Sequence, residues 1–319
     1  MAGLGAYPRH RRRRPDQYSL QVPNPSAETA LLFPGQGSQT QTMAAVAAAQ
    51  LPELVEQAAG ELGGDPFEGI AEGTHFAQPA LFIAGLAHWK AAGEPDAAFW
   101  AGHSLGELPA LVAAGALEAG AGLRLAVVRG RLMEEASAVR PGGMVAALGG
   151  SDEVVRKVAG EFELTLANDN APGQMVLSGD SEKVGEARKA LRAEGAKAIR
   201  LPVAGAFHSP LMEPAVPGYR EILDATEFAS VAGAFSCIAA APFDDVRADL
   251  LSALTEPVRW RDTLAAMRAA GATAFLETGP GNILTGLSRR TLGEDVESRS
   301  LADEIEAAQP DAAQEAAGA

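Results

Sequence analysis

Hydrophobic and polar positions fall into two regimes along the chain. The first, starting at Ala30, alternates short continuous apolar runs with longer helical stretches, as expected of strands buried on both faces and separated by helices. Ala30-Leu31-Leu32-Phe33 reads as the first such strand and is broken by Pro34-Gly35-Gln36-Gly37-Ser38. Helical periodicity runs over residues 43–59 and again over 79–90, with Pro79 at a first helical position, where its missing N–H costs nothing. Residues 97–101 read as the next strand and 107–116 as the helix behind it; a further helix covers 122–138. Between Pro141 and Val203 the elements shorten. They read as strand 144–148, helix 152–160, strand 164–167, turn Asn170-Ala171-Pro172-Gly173, strand 175–178, helix 182–194 and strand 198–201. That β-α-β-β-α-β order is the ferredoxin-like unit. Strands at 235–239 and 273–277 resume the first regime, the latter ending in Thr278-Gly279-Pro280-Gly281-Asn282. The pattern predicts an α/β body (residues 30–140 and 204–300) interrupted by a ferredoxin-like insert (141–203). A disordered basic arm (1–29) and an Ala/Glu-rich flexible tail (301–319) flank it.

Composition narrows the function classes. At 319 residues and 47 % hydrophobic, the chain can bury a large core in one or two domains. No run approaches 18 consecutive apolar residues, so no membrane span is expected. Cys237 is the only cysteine, which excludes an intramolecular disulfide and a cysteine-based zinc site and suits a reducing cytoplasm. The formal charge is −15; residues 1–28 hold five arginines against Asp16 and Glu28, a net +3, leaving −18 on the remainder. A body that acidic does not bind nucleic acid non-specifically. The arginines resemble the start of a signal peptide, but Pro15-Asp16-Gln17-Tyr18 stands where the apolar segment should follow.

The strongest chemical signal is Gly102-His103-Ser104-Leu105-Gly106 between a strand and a helix. Flanking glycines allow a turn sharp enough to expose Ser104 at the top of a sheet, and the helix N-terminus behind it favours negative charge. Ser104 there is either a nucleophile or a helix-capping serine. A nucleophile needs a base. Of five histidines, His10 lies in the arm, His103 points elsewhere in the turn, and His75 and His88 lie in or beside polar helical sequence. His208 stands in a loop after the last insert strand, between Phe207 and Ser209-Pro210, placed to line a cleft or to rest in the core. Arg129 is the other oddity. Its helical neighbours Leu125, Ala126, Leu132 and Met133 are apolar, so its charge must meet either a carboxylate of the fold or a substrate anion.

Taken together, these motifs resemble the malonyl-CoA:acyl-carrier-protein transacylases and the related acyltransferase domains of polyketide synthases. The resemblance spans Leu31 to Arg290. It rests on Phe33-Pro34-Gly35-Gln36-Gly37-Ser38-Gln39, Gln78-Pro79-Ala80, Gly102-His103-Ser104-Leu105-Gly106-Glu107 and Arg129-Gly130 followed by Leu132-Met133. Later matches are Asn170-Ala171-Pro172-Gly173-Gln174, Phe207-His208-Ser209-Pro210-Leu211-Met212, Pro257-Val258-Arg259-Trp260 and Glu277-Thr278-Gly279-Pro280-Gly281. The resemblance implies an α/β-hydrolase-like body with the active site between body and insert. It implies Ser104 as the nucleophile, His208 as base and later acid, Gln36 and the Leu105 N–H as the oxyanion hole, and Arg129 as clamp for the malonate carboxylate. Phe207 before the histidine resembles the malonyl-type pattern. Malonyl-CoA and acyl carrier protein are then substrate and partner, with no cofactor, no metal, no nucleic acid and no membrane, in a cytoplasmic monomer. Arg289, Arg290, Lys189 and Arg192 form the candidate patch for an acidic carrier.

Three departures stand out. Alanine occupies position 253, where the family shows a glutamine that orients the histidine through a main-chain carbonyl. Cys237-Ile238 replaces the usual Asn-Val, and Pro109 should bend the first turns after Ser104. A serine esterase or thioesterase is the enzyme alternative, disfavoured because no acid between Ser104 and His208 stands in a catalytic motif. A non-catalytic carrier-docking module is the other, disfavoured by the presence of Ser104, His208, Gln36 and Arg129 together.

Overall fold

A computed structural model describes residues 28–203, 205–230 and 232–307. Its first segment holds β1 (Thr29–Phe33), α1 (Met43–Gln50), α2 (Pro52–Leu62), α3 (Thr74–Ala91), β2 (Phe99–Gly102), α4 (Glu107–Ala113) and α5 (Ala119–Val139). Next come β3 (Gly142–Leu148), α6 (Asp152–Glu161), β4 (Thr165–Ala171), β5 (Gln174–Asp180), α7 (Ser181–Ala193) and β6 (Lys197–Arg200). The last segment holds α8 (Val216–Asp224), β7 (Ala234–Ser236), β8 (Ala241–Pro242), α9 (Val246–Ser252) and α10 (Trp260–Ala269). It closes with β9 (Ala274–Glu277), α11 (Ile283–Leu292), β10 (Glu297–Ser300) and α12 (Leu301–Ala307).

The architecture is mixed α/β with two sheets. The larger has the order β10-β9-β1-β2-β7-β8 and is parallel except for the β7–β8 pair. β1 is buried at every position, which is why its sequence is a continuous apolar run rather than an alternation. β3 to β6 make a separate four-stranded antiparallel sheet, ordered β4-β5-β3-β6. Here the period of two is visible. Val145 and Ala147 face a core with Val155, Val158, Val184 and Leu191 of α6 and α7, whereas Met144 and Ala146 join the core of the larger unit. Ser151 and Asp180 cap α6 and α7 with their side chains.

The small sheet is tied to the segment that leads into α10. Asn168 of β4 bridges Val258, with Asp169 N–H donating to the Val258 carbonyl and Val258 N–H to the Ala167 carbonyl. Arg261 on α10 reaches Asp152 at 2.6 Å and Asp169 at 2.7 Å, and Arg156 adds a 3.0 Å contact to Asp169.

Several expectations need correction. The single helix over 43–59 is two, because Pro52 lacks the N–H that would continue the first and starts the second instead. Pro79 does not begin its helix. α3 starts five residues earlier at Thr74, and its first turns are buried, so packing overrides the proline. The tail from 301 is not wholly flexible: Leu301, Ala302 and Ile305 are buried in α12. Thr29, assigned to the arm, is buried in β1. Residues 1–27 and 308–319 lie outside the described residues. Among the described residues no helix is long and apolar enough to cross a membrane.

Candidate active site

The site is built at the C-terminal ends of β1 and β2, the edge where parallel α/β sheets collect ligands. β2 turns through His103 into a 3-10 turn, Ser104–Gly106, and then α4. Ser104 sits at φ 55°, a left-handed conformation that a non-glycine residue keeps only when its surroundings enforce it. The enforcement comes from the glycines. A Cβ on Gly102 would lie 1.8 Å from the Gly106 carbonyl carbon, and one on Gly106 would lie 2.0 Å from the Phe33 carbonyl oxygen. The elbow is therefore clamped against the end of β1. Pro109 is accommodated because the first turn is 3-10, with α4 proper beginning at Glu107.

Ser104 and His208 meet across 104 residues of sequence: Ser104 Oγ donates to His208 Nε2 at 2.8 Å. His208, also at positive φ (56°), donates from Nδ1 to the Glu256 carbonyl at 3.2 Å. That bond fixes the tautomer and leaves the Nε2 lone pair facing the hydroxyl. Burial, with the Arg129 charge and His103 adding to it, drops the His208 pKa to about 3. The imidazole is thus neutral at pH 7 and able to accept a proton. The missing glutamine at 253 does no harm here, since a main-chain carbonyl holds the ring.

Arg129 is buried on α5. Its Nη1 donates to Gln78 Oε1 at 2.9 Å and its Nη2 to Ser104 Oγ at 3.2 Å, and among the described residues it forms no ion pair. The serine oxygen therefore accepts from a guanidinium while donating to an imidazole, an arrangement that eases loss of its proton. Gln78 is held in turn: its Nε2 donates to Thr74 Oγ1 at 3.2 Å, and Thr74 donates to Gln36 Oε1 at 3.2 Å. The Gln36 loop lies against the elbow, because a Cβ on the preceding Gly35 would stand 3.7 Å from the Leu105 backbone nitrogen. Ser104, His208, Arg129, Gln36 and Leu105 thus share one site. Phe207 is buried in the core of the larger unit, to which Met144 and Ala146 of β3 also belong.

Sequence reasoning singled out neither Gln78 nor the Glu256 carbonyl for a role. Gln78 had a signal, a buried amide amid the apolar stretch of α3. A main-chain acceptor has none. His103, expected to point away, does so to a purpose. Its Nε2 donates to Asn170 Oδ1 of β4 at 2.8 Å, with its ring 5.4 Å from that of Trp260. Cys237, in place of asparagine, donates its N–H to Glu107 Oε1 and accepts from the Arg259 N–H at its carbonyl, while its buried thiol lies against the same carboxyl. The candidate carrier patch is partly committed elsewhere. Arg289 donates twice to the Ser298 carbonyl, Arg192 donates to the Ala198 carbonyl, Lys189 pairs with Glu186, and Arg290 bonds Gln174. Among the described residues no group of three or more His, Cys, Asp or Glu side chains is arranged to hold a metal ion.

Comparison with known proteins agrees with this geometry. The model of the acyl transferase domain matches residues 30–318. The malonyl CoA-acyl carrier protein transacylase of Bacillus subtilis is 38 % identical over 288 residues, covering 83 % of this chain and 90 % of that protein. The crystal structure of malonyl-CoA:acyl carrier protein transacylase from Xanthomonas oryzae pv. oryzae superposes with TM-score 0.80 at 34 % identity, covering 90 % of this chain and 98 % of the other. A malonyl-transacylase solved in complex with its type II polyketide acyl-carrier protein superposes with TM-score 0.76 at 34 % identity, covering 86 % and 94 %. The chain belongs to the acyl transferase domain family.

Proposed function

We propose that this protein moves a malonyl group from malonyl-CoA to the pantetheine thiol of an acyl carrier protein through an ester on Ser104. The observation that carries the reading is a buried arginine that touches no carboxylate among the described residues, in hydrogen-bond contact with the serine that His208 also contacts. In the first step Ser104 Oγ attacks the thioester carbonyl, passing its proton to His208 Nε2, and the coenzyme A thiolate leaves with that proton. In the second the carrier thiol gives its proton to His208 and attacks the ester, and Ser104 recovers a proton as it leaves. The Leu105 N–H and Gln36 are the oxyanion donors in this reading, Arg129 binds the free carboxylate, and Phe207 shapes the acyl end of the pocket. The reading needs no metal or cofactor.

The body is then α/β-hydrolase-like. The unit from β3 to β6 is a ferredoxin-like insert, a reading favoured by its element order and by the strand order β4-β5-β3-β6. Carrier recognition is the second half of the reaction, and the solved complex of a relative with its carrier supports it. The chain is read as a cytoplasmic monomer.

Transfer of label from malonyl-CoA to carrier protein tests the reaction, and mass spectrometry of the trapped intermediate tests the residue. Malonate on Ser104 and labelled carrier are expected. Release of free malonate without labelled carrier would point to a thioesterase, and no reaction at all would point to a docking module.

A further inference from the structure

Glu107 is a buried carboxyl that the ester chemistry leaves unused. It follows Ser104 by one 3-10 turn and has no exposed surface. Oε1 accepts the Cys237 N–H at 2.7 Å, tying the elbow to the segment after β7. Among the described residues Oε2 is buried without a hydrogen-bond partner, and so is the Tyr219 hydroxyl of α8. A carboxylate oxygen without a donor is costly in the interior. Arg129 is the positive charge that acts on this carboxyl, yet the two form no ion pair, since the guanidinium bonds Gln78 and Ser104.

We propose that Glu107 is a proton-linked counter-charge to Arg129: ionised while the acyl pocket is empty, it takes one proton from solvent when an acyl group with a free carboxylate docks on Arg129. The proposal rests on Arg129 being the carboxylate clamp. One buried cation cannot balance two buried anions, so docking a second anion neutralises the weaker acid. Glu107 is the group that yields. Burial already pushes it up to about 7, against the pull of the Cys237 N–H, the Cys237 thiol and Arg129.

The other groups around it do not compete. Burial raises both the Tyr219 hydroxyl and the Cys237 thiol, so neither is ionised at neutral pH, and His208 is held neutral. Asp249 on α9 adds a repulsion that favours protonation of Glu107. β1, β2 and β7 carry no titratable residue. On α3, His88 is neutral through burial, His75 pairs with Glu134, and Lys90 is exposed. The linkage has a definite sign. A second anion raises Glu107 further, so affinity for a carboxylated acyl-CoA strengthens as pH falls through the interval between the empty-site and occupied-site values.

Calorimetry on the full chain carrying Ser104→Ala, which blocks acylation, tests this at about pH 7.5 in two buffers of different ionisation enthalpy. Malonyl-CoA is expected to bind more tightly than acetyl-CoA and to take up more protons, by on the order of half a proton. Acetyl-CoA subtracts the coenzyme's own phosphates. The excess should vanish when Glu107→Gln is added. Difference infrared spectroscopy needs no second variant, because malonyl-CoA should produce a protonated-carboxyl band that acetyl-CoA does not. Tighter malonyl binding with equal proton uptake and no such band would overturn the counter-charge and leave the clamp standing. Equal affinity for the two esters would overturn the clamp, and the proposal with it.

Discussion

Arg261 and Arg129 show what a fold does with a charge it needs for itself and with one it leaves open. Arg261, a quarter exposed, closes on two carboxylates from the small-sheet unit, Asp152 and Asp169, at 2.6 and 2.7 Å. Arg129 is more deeply buried, at 3 % exposure, and among the described residues bonds only an amide oxygen and a hydroxyl. Burial lowers its pKa, an unfavourable environment for a guanidinium that remains charged all the same. The first charge is balanced within the chain and joins α10 to the small-sheet unit. The second has no carboxylate in contact among the described residues and stays open to an anion from outside. A buried cation lacking a contacting carboxylate is therefore a better pointer to substrate than a well-made ion pair.

The largest expected effect follows from removing the open charge. Arg129→Ala should cut the malonyl-CoA specificity constant by about a hundredfold or more, because the bound carboxylate is left desolvated and unpaired. Acetyl-CoA has no carboxylate to strand, and Ser104 and His208 remain, so its transfer should hold or improve. The melting temperature should not fall in proportion. A parallel loss of both activities and of stability would make Arg129 a scaffold residue like Arg261 and erase the contrast.

Glu277 carries the comparison to an acid. It is buried at the end of β9, where Oε2 accepts from the Thr285 N–H and hydroxyl, capping α11, while Oε1 has no hydrogen-bond partner among the described residues. Burial raises its pKa from 4.5 to about 7. A raised carboxyl keeps its proton in the folded state where the unfolded chain has lost it, so its contribution to stability falls as pH rises from about 4.5 to about 7. Glu277→Gln should remove that slope. Relative to the parent, the variant should gain about 2 kcal/mol between pH 5 and pH 8 in urea unfolding. An unchanged difference at the two pH values would mean the carboxyl is not perturbed.

Arg261→Ala should act on the frame rather than on substrate choice. It leaves Asp152 and Asp169 together with only Arg156 between them. Partial exposure screens the loss to about 1–2 kcal/mol, a few degrees in melting temperature. Rates with malonyl-CoA and acetyl-CoA should decline by the same factor, as the sheets that carry the site loosen. A selective loss with malonyl-CoA would show that Arg261 also recognises the acyl group.

The contrast was half legible in the sequence. Arg129 stood out because four apolar residues surround it at helical spacing, a local signal. Arg261 gave none, since its partners come from 109 and 92 residues away. The same division holds elsewhere. The succession of strands and helices inside residues 142–200 followed from local alternation and turns, and the elbow followed from its two glycines. What local pattern missed was set by packing: the start of α3 before Pro79, the docking of α12, and the Glu256 carbonyl behind His208.

Arg131 supplies the smallest effect and the control for the rest. It lies two residues after Arg129 on α5, but on the solvent side, where it meets Glu135 at 3.0 Å with both side chains more than half exposed. Water solvates both groups whether or not they touch, and salt screens what attraction remains, so such a pair contributes about 0.3–0.5 kcal/mol. Arg131→Ala should therefore leave both specificity constants unchanged and move the melting temperature by no more than about a degree or two. It alters the net charge of the chain by the same unit as Arg129→Ala and Arg261→Ala. If it nevertheless weakened malonyl transfer, the loss in Arg129→Ala would reflect long-range attraction for an anionic ester rather than contact. Raising the salt concentration separates the two, because it would abolish a long-range effect and spare a buried one.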